Sequence, residues 1–370
     1  MSSPDSVAHP WGIPDGAKFA ILAVKTSSLP DRRDGMVELD GVVRVLFRTP
    51  IPAPDLLNRW FGSLRAGQFE ESNLVVVASE QAESPGVFDG QTIRLEGRVK
   101  EVLVGALLQG GPFGFRGGVL LSGELRGGEL EVRQVTNVER ISRVAGSKAF
   151  RLSDAMIRDA GRVATALRDR VMADGFRRFR AGFASWHAAV LEGFPGERLH
   201  GFVRSLDGVM ILPKLGGRRT FRRRGQLLLG RSSLNEQLLD EIYELRNTIS
   251  HLNDFEDALI AYPQEGRNVT ALLRSFQAEL LATEVYRRIL SSDELLEKMR
   301  DDDAIKELWE LDESAVHRLW GPPIDLGGPC RARFTDVNTR VFPEARLITR
   351  TSEGSEATRN APAHNPRTGA

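Results

Sequence analysis

The spacing of apolar and polar positions changes near residue 150 and divides the chain into two parts. In the first part, from residue 18 to about residue 138, apolar residues form short runs or alternate with polar residues. The segments concerned are 19–24, 42–47, 74–77 and 92–104. A period of two is typical of β-strands, because successive side chains of a strand point to opposite faces of its sheet. The pattern therefore predicts a strand in each segment.

Local signals predict how these strands are connected. Gly127 and Gly128 separate two alternating segments, and such a pair can adopt the positive φ angles of a tight hairpin. A last strand is expected over 129–138. The proline-rich stretch 50–54, followed by 55–61, predicts a turn that leads into one short amphipathic helix. The first part is thus expected to be antiparallel and β-rich, with a helical insertion.

Helical spacing replaces this alternation after Ser153, which is predicted to cap a helix. Met156, Val163, Leu167 and Val171 recur at the intervals of one helix face. A helix pair is predicted over 153–193, with further helices over 197–212, 233 to the 250s, 268–290 and 293–311. Successive amphipathic helices of this kind are typical of a bundle.

These patterns predict an α+β protein in which an antiparallel β-rich domain is followed by an all-α helical bundle. The expected divisions are an N-terminal extension (1–16), the β-rich domain (17–148), the bundle (149–320) and a tail (321–370). The end of the chain is polar, small and without periodicity, which predicts disorder.

Composition removes several classes of protein from consideration. Lys plus Arg and Asp plus Glu each number 50, so the overall charge gives no hint of nucleic acid or membrane binding. The single cysteine, Cys330, excludes a disulfide framework and a cysteine-pair zinc site. No apolar run approaches the roughly 20 residues of a membrane-spanning helix, and the first 15 residues lack a signal-peptide pattern. We therefore expect a cytoplasmic protein with no membrane partner, no metal and no cofactor.

A helix that begins at Ser233 would separate its apolar and polar residues onto opposite sides. The apolar stripe, within an arc of about 80°, contains Leu234, Leu238, Ile242, Leu245, Ile249 and Leu252. The polar side contains Tyr243, Asn247, His251 and Asp254, with Glu244 beside them and Arg246 and Ser250 on one flank. This polar side is either a solvated surface or a functional site.

Arg246 and Asn247, followed by three residues and then His251, form a motif late in this predicted helix. The motif resembles that of the HEPN family (higher eukaryotes and prokaryotes nucleotide-binding), whose ribonuclease members use an Arg-Asn-x-x-x-His pattern. The resemblance is strict over these six residues, and the helical setting of 153–312 agrees with it. It implies an HEPN-like bundle with metal-independent endoribonuclease activity, in which Arg246, Asn247 and His251 act on RNA.

The residue types of the motif suit cleavage of RNA by its own 2′-hydroxyl group. Histidine, with a pKa of about 6.5 in isolation, is the side chain best placed to move protons near neutrality. Arginine stays charged and its planar fork pairs with phosphate oxygens. Asn247 can bind a phosphate or hold the histidine. Tyr243, Glu244 and Asp254 are candidate supporting residues.

The spacing of the motif also raises a geometric difficulty. Residues five apart on a straight helix point about 140° away from each other, so Arg246 and His251 do not face one narrow spot. Either the helix deforms over 248–250, or two chains pair so that each cleft receives both residues. The resemblance favours a homodimer, because HEPN domains commonly share an active site. HEPN nucleases often act as toxins or phage-defence effectors, so the β-rich domain is expected to bind a protein or ligand trigger.

A basic run precedes this helix. Between residues 196 and 230, basic residues outnumber acidic ones eight to two. The candidate RNA-binding residues are Arg218, Arg219, Phe221, Arg222, Arg223 and Arg224, with the aromatic ring available to stack on a base. The alternative is a solvated loop that the acidic segment 293–313 neutralises.

Two other functions remain open at this stage. A non-catalytic HEPN-like module would bind a nucleotide, a nucleic acid or a protein, and would use the motif face as a dimer interface. A third interpretation is an antitoxin-type binding protein. Replacing His251 with Ala distinguishes the ribonuclease from the non-catalytic module. The substitution should abolish cleavage in an enzyme and shift the monomer–dimer balance in a binding module.

Overall fold

A computed structural model describes most of the chain up to residue 330. The described residues are 11–26, 35–47, 62–84, 89–110, 118–138, 141, 152–251, 258–260 and 262–330. Within them, a six-stranded antiparallel sheet near the N-terminus is followed by a mostly helical region. The α+β prediction is thereby confirmed. The helix predicted over 55–61, the candidate Asp254 and the tail beyond residue 330 lie outside the described residues.

Every residue of Ala17–Val24, one of the two central strands of the sheet, is buried. The strands are β1 (Ala17–Val24), β2 (Gly35–Glu38), β3 (Val43–Phe47), β4 (Leu74–Gln81), β5 (Gly118–Arg126) and β6 (Glu129–Val138). Their order is β2-β3-β4-β1-β5-β6, and every neighbouring pair is antiparallel. The predicted hairpin between β5 and β6 is confirmed, since Gly127 and Gly128 have φ angles of +58° and +81°.

Both faces of the sheet are covered. On one face, alternate residues of β1 such as Leu22 pack against helix α2 (Gly90–Leu108). On the other face, Phe19 and its neighbours pack with helix α1 (Ser63–Glu70) and with Trp11. Trp11 and Ile13, placed in an N-terminal extension by the sequence patterns, are each 1% exposed. Residues 11–16 therefore belong to the β-rich unit.

The strand predicted over 92–104 is wrong, because this segment lies inside α2. The Asp89 side chain accepts a hydrogen bond from the Thr92 backbone N–H at 2.9 Å and caps the helix. Leu95, Val99 and Leu103 are buried against the sheet at intervals of four. Over a short segment, the same apolar residues fit both the period of two of a strand and the interval of about four of a helix. The N-cap at Asp89 favours the helix.

The helical region follows residue 152. Its helices are α3 (Asp154–Ala166), α4 (Arg177–Leu191), α5 (Pro195–Met210), α6 (Gly217–Leu229), α7 (Ser233–Ser250), α8 (Gln264–Leu290), α9 (Asp293–Glu297), α10 (Asp302–Glu310) and α11 (Glu313–Trp320). The predicted cap is confirmed, since Ser153 Oγ accepts from the Met156 N–H at 3.2 Å. The single helix predicted over 293–311 is instead α9 and α10, because Asp301 caps a new start. A π-helical turn, Leu167–Val171, continues α3.

The boundary near residue 150 does not separate two cores. Ile157 and Ala164 of α3 lie in the core beneath the sheet, whereas Val163 lies in the core of the helical region. Leu107 and Leu108, at the end of α2, also lie in the helical core. Helices α2 and α3 therefore form a layer that both halves of the molecule share.

The predicted tail begins too early. Ile324 donates its backbone N–H to the Leu228 carbonyl at 2.9 Å, and Leu326 and Cys330 are buried. Residues 321–330 thus pack against the helical region, because they carry apolar side chains that the low average hydrophobicity of the segment concealed.

Candidate functional site

Helix α7 carries the motif in its last turn. It starts at a cap, where Ser232 Oγ accepts from the Asn235 N–H at 3.1 Å. It remains α-helical through Ser250, and the His251 N–H donates to the Asn247 carbonyl at 3.1 Å. His251 is therefore the C-terminal cap residue of α7, and its side chain is exposed.

The buried side of α7 differs in part from the predicted stripe. Leu238, Ile242 and Leu245 are buried as expected, but Leu234 is 43% exposed. Glu241 is buried instead, because Arg274 of α8 supplies a positive charge with Nε 2.8 Å from Glu241 Oε2. The Tyr262 hydroxyl also donates to Glu241 Oε1 at 2.9 Å. This polar cluster attaches α7 to α8, and no apolar pattern reveals it.

The Arg246 guanidinium is held against its own helix. Its Nη1 donates to Asn247 Oδ1 at 3.0 Å, and its Cζ lies 5.7 Å from the centroid of the Tyr243 ring. Its Nε is buried and has no hydrogen-bond partner among the described residues. The guanidinium is thus fixed by Asn247 and the Tyr243 ring, and its Nε is closed to solvent.

Regular helix geometry continues between Arg246 and His251. Residues 248–250 are α-helical, so the deformation that would bring the two side chains to one spot is not found. The two residues point about 140° apart. One chain alone therefore does not place this pair against a single phosphate.

A second histidine lies beside the motif. His200 of α5 has its Nδ1 2.8 Å from Ser250 Oγ, and the same hydroxyl donates to the Arg246 carbonyl at 2.7 Å. Partial burial lowers the pKa of His200, the nearby Arg246 charge lowers it further, and Glu197 acts in the opposite direction. No spacing along its own helix marks His200 as a site residue. Only the packing of α5 on α7 brings it to the site.

The basic run lies on α6, and two of its five arginines pair with acidic residues of α7. Arg218 Nη1 donates to Glu244 Oε2 at 2.8 Å, and Arg222 Nη1 lies 3.1 Å from Glu236 and 3.2 Å from Asp240. For Arg218 and Arg222, acidic residues of α7 thus take the place of the segment 293–313 that the alternative interpretation offered, whereas Glu310 of that segment acts on Arg224. Glu244, a candidate supporting residue, is engaged by Arg218.

The other candidate RNA-binding residues differ in their exposure. Phe221 is 0% exposed and packs on Tyr243 with ring centroids 5.5 Å apart, so its ring is not available to stack on a base. Arg224 lies over the Trp309 ring, and partial burial lowers the pKa of its guanidinium. Arg219 and Arg223 are exposed, and no ion pair reaches them from the described residues.

Comparison with known proteins gives no further information about function. No family model, curated protein or solved structure matches the chain. In the described ranges, no group of three or more His, Cys, Asp or Glu side chains is arranged to hold a metal ion. No helix in the part of the chain that the structure describes is long and apolar enough to cross a membrane.

Proposed function

We propose that the protein is a metal-independent endoribonuclease of HEPN type that acts in the cytoplasm as a toxin or phage-defence effector. One observation carries the proposal: Arg246, Asn247 and His251 occupy the last turn of a helix in an all-helical region, and His251 is exposed at its end. The motif resembles the ribonuclease motif of that family in residue types and in spacing.

In the proposed reaction the 2′-hydroxyl of the RNA attacks the adjacent phosphorus. His251 transfers a proton as acid or base, Arg246 neutralises charge on the phosphoryl oxygens, and Asn247 orients Arg246 through the hydrogen bond described above. The products are a 2′,3′-cyclic phosphate and a 5′-hydroxyl. No step requires a metal, since the nucleophile belongs to the substrate.

Arg246 and His251 of one chain point in different directions around α7, and this geometry supports a site built by two chains. A homodimer paired along this face of α7 would place Arg246 of one chain near the other chain's His251. The exposed Arg219 and Arg223 of α6 are the members of the basic run best placed to attract RNA. The β-rich domain would receive the trigger, whether protein or ligand.

Cleavage in the presence of a chelator tests the proposal. We expect the purified chain to cut a labelled mixture of tRNA and unstructured RNA, leaving 2′,3′-cyclic phosphate ends. The His251→Ala variant should lose about 10²- to 10⁴-fold of this rate, the usual contribution of a general acid or base. Arg246→Ala should lose a comparable amount while both variants keep the wild-type fold by circular dichroism.

Matched controls lie elsewhere in the helical region. His317→Gln on α11 and Arg231→Ala, whose Nε pairs with Glu313 at 2.9 Å, should leave cleavage unchanged. Absence of cleavage by folded wild-type protein, or full activity of His251→Ala, would contradict the proposal.

A second candidate function has an observation of its own. Arg246 is half-buried, packs on Tyr243 and bonds Asn247, as a structural arginine would. A non-catalytic module that binds a nucleotide, a nucleic acid or a protein through this face would show no cleavage. In that case, substitution of His251 would instead change the dissociation constant of the dimer in sedimentation experiments.

A further inference from the structure

His200 is joined to the same helical turn that carries the motif. Its Nδ1 lies 2.8 Å from Ser250 Oγ. On α7, Ser250 lies about 40° from Arg246 and about 100° from His251 around the helix axis. His200 therefore stands on the Arg246 side of the motif, where His251 of the same chain does not reach.

The hydrogen bonds of Ser250 fix the form of the neutral imidazole. A hydroxyl has one proton, and Ser250 Oγ donates it to the Arg246 carbonyl at 2.7 Å. The Ser250 oxygen is then an acceptor toward His200, so Nδ1 carries the imidazole hydrogen. The lone pair of the neutral ring consequently lies on Nε2, the nitrogen on the far side of the ring from Ser250.

The charges around His200 suit an anionic substrate and a basic imidazole. Arg246 from α7 and Arg204 from α5 are close enough to influence its titration, and Glu197 is the opposing acid. Burial and the two arginines lower the pKa of His200 more than Glu197 raises it, which favours the neutral form of the ring. A phosphate would find two cations here beside an unprotonated base.

We propose that His200 is the second proton-transfer residue of this site and accepts the 2′-hydroxyl proton at Nε2. The inference rests on the proposed ribonuclease function. As the bond from the 2′-oxygen to phosphorus forms, the bond from phosphorus to the 5′-oxygen breaks. His200 gains the proton from the 2′-oxygen, and His251, contributed by the partner chain of the dimer, gives one to the 5′-oxygen. Arg246 stabilises the added charge on the phosphoryl oxygens.

The pH dependence of cleavage tests this assignment. Two histidines in opposite protonation states give a bell-shaped profile of kcat/KM. His200→Gln, which can still reach Ser250, should cleave about 10²-fold or more slowly and should lose the limb that rises with pH. Ser250→Ala should show a smaller loss with the same direction of change, because the ring loses its orientation. His317→Gln should keep the complete profile.

A binding measurement separates this inference from the proposed function. A dinucleotide with a 2′-O-methyl group in place of the nucleophile should bind wild-type protein and shift the NMR resonances of the His200 ring. Failure of wild-type protein to cleave RNA would overturn both proposals. Wild-type cleavage combined with an active His200→Gln enzyme of unchanged pH profile, or a His200 resonance that the dinucleotide leaves in place, would overturn this inference alone.

Discussion

Arg198 and Glu279 form an ion pair in the interior of the helical region. Arg198 Nη2 lies 2.7 Å from Glu279 Oε2, and the two side chains are 2% and 1% exposed. Arg198 is two residues before His200 on α5, while Glu279 is on α8. The pair therefore fixes α5 against α8 close to the candidate site.

Removing one partner of this pair should destabilise the protein strongly. Arg198→Met deprives the buried Glu279 carboxylate of its cation, and we expect the free energy of unfolding to fall by about 3–5 kcal/mol. Urea unfolding followed by circular dichroism measures the change. The double variant Arg198→Met/Glu279→Leu should recover much of the loss, since neither charge of the pair then remains. Equal loss in both variants would contradict this account.

Sequence alone predicts Arg246, Asn247 and His251 as site residues because they form one motif close together along the chain. It does not identify His200, since no spacing on α5 indicates that Ser250 of another helix lies 2.8 Å away. The burial of Phe221 was within reach of the sequence. Phe221, Gly225 and Leu228 recur at helical intervals and are all buried, whereas the surrounding arginines led to the prediction of a ring that stacks on a base.

Two glycines allow α4 and α5 to approach closely. A Cβ atom added at Gly208 would lie 2.7 Å from Gly182 Cα, and one added at Gly182 would lie 2.8 Å from the Ser205 carbonyl oxygen. The partner atoms are backbone, so they cannot move aside cheaply. This contact fixes the position of α5 against α4, and therefore also the position of His200 on α5.

Substitution of Gly208 should destabilise the protein. We expect Gly208→Ala to lower the free energy of unfolding by about 1–3 kcal/mol, because the helices must separate to admit the methyl group. Gly97→Ala on α2 is the matched control, since an added Cβ there meets nothing within 4 Å. By helix propensity it should be neutral or stabilise by up to about 1 kcal/mol. Chemical denaturation of both variants checks the difference, and equal effects would refute the close-contact explanation.

Element prediction failed where two periodicities coincide. In 92–104 the alternating pattern was real, yet Leu95, Val99 and Leu103 also mark one side of a helix. Asp89 and its hydrogen bond to the Thr92 N–H decide between them, and this cap lies three residues before the alternating segment begins. The hairpin at Gly127 and Gly128 was predictable because its signal is local.

At the scale of the assembly, mixing inactive variants tests whether two chains share each site. In a heterodimer of Arg246→Ala and His251→Ala chains, one composite site carries both substitutions and the other carries neither. With random pairing, half of the dimers are of this kind, so about one quarter of wild-type cleavage should return. Light scattering confirms the dimer in the same samples.

The control for this mixture is the doubly substituted chain. Arg246→Ala/His251→Ala mixed with either single variant has no intact composite site and should stay inactive. Cleavage that remains absent in the first mixture, although wild-type protein is active and the variants exchange subunits, would show that each site is built within one chain.

The change in pattern near residue 150 correctly predicted a sheet followed by helices. It did not reveal that α3 has side chains in both cores, because a helical pattern shows which residues are buried but not against what. Ile157 and Val163 look alike in the sequence, yet one packs beneath the sheet and the other in the helical region.

Helices α2 and α3 contribute side chains to the cores of both halves, so the halves are joined by a shared packed layer and not only by the chain that connects them. Deleting residues 1–150 would remove α2 and expose Ile157 and Ala164 to solvent. The properties of such a shortened chain would therefore reflect a disrupted core as well as the loss of a regulatory domain. Gly105 of α2 sits so close to the Ala160 backbone that an added Cβ would lie 2.3 Å from its carbonyl oxygen. A displacement of α2 toward α3 would consequently also displace α3, because the two backbones are already in close contact.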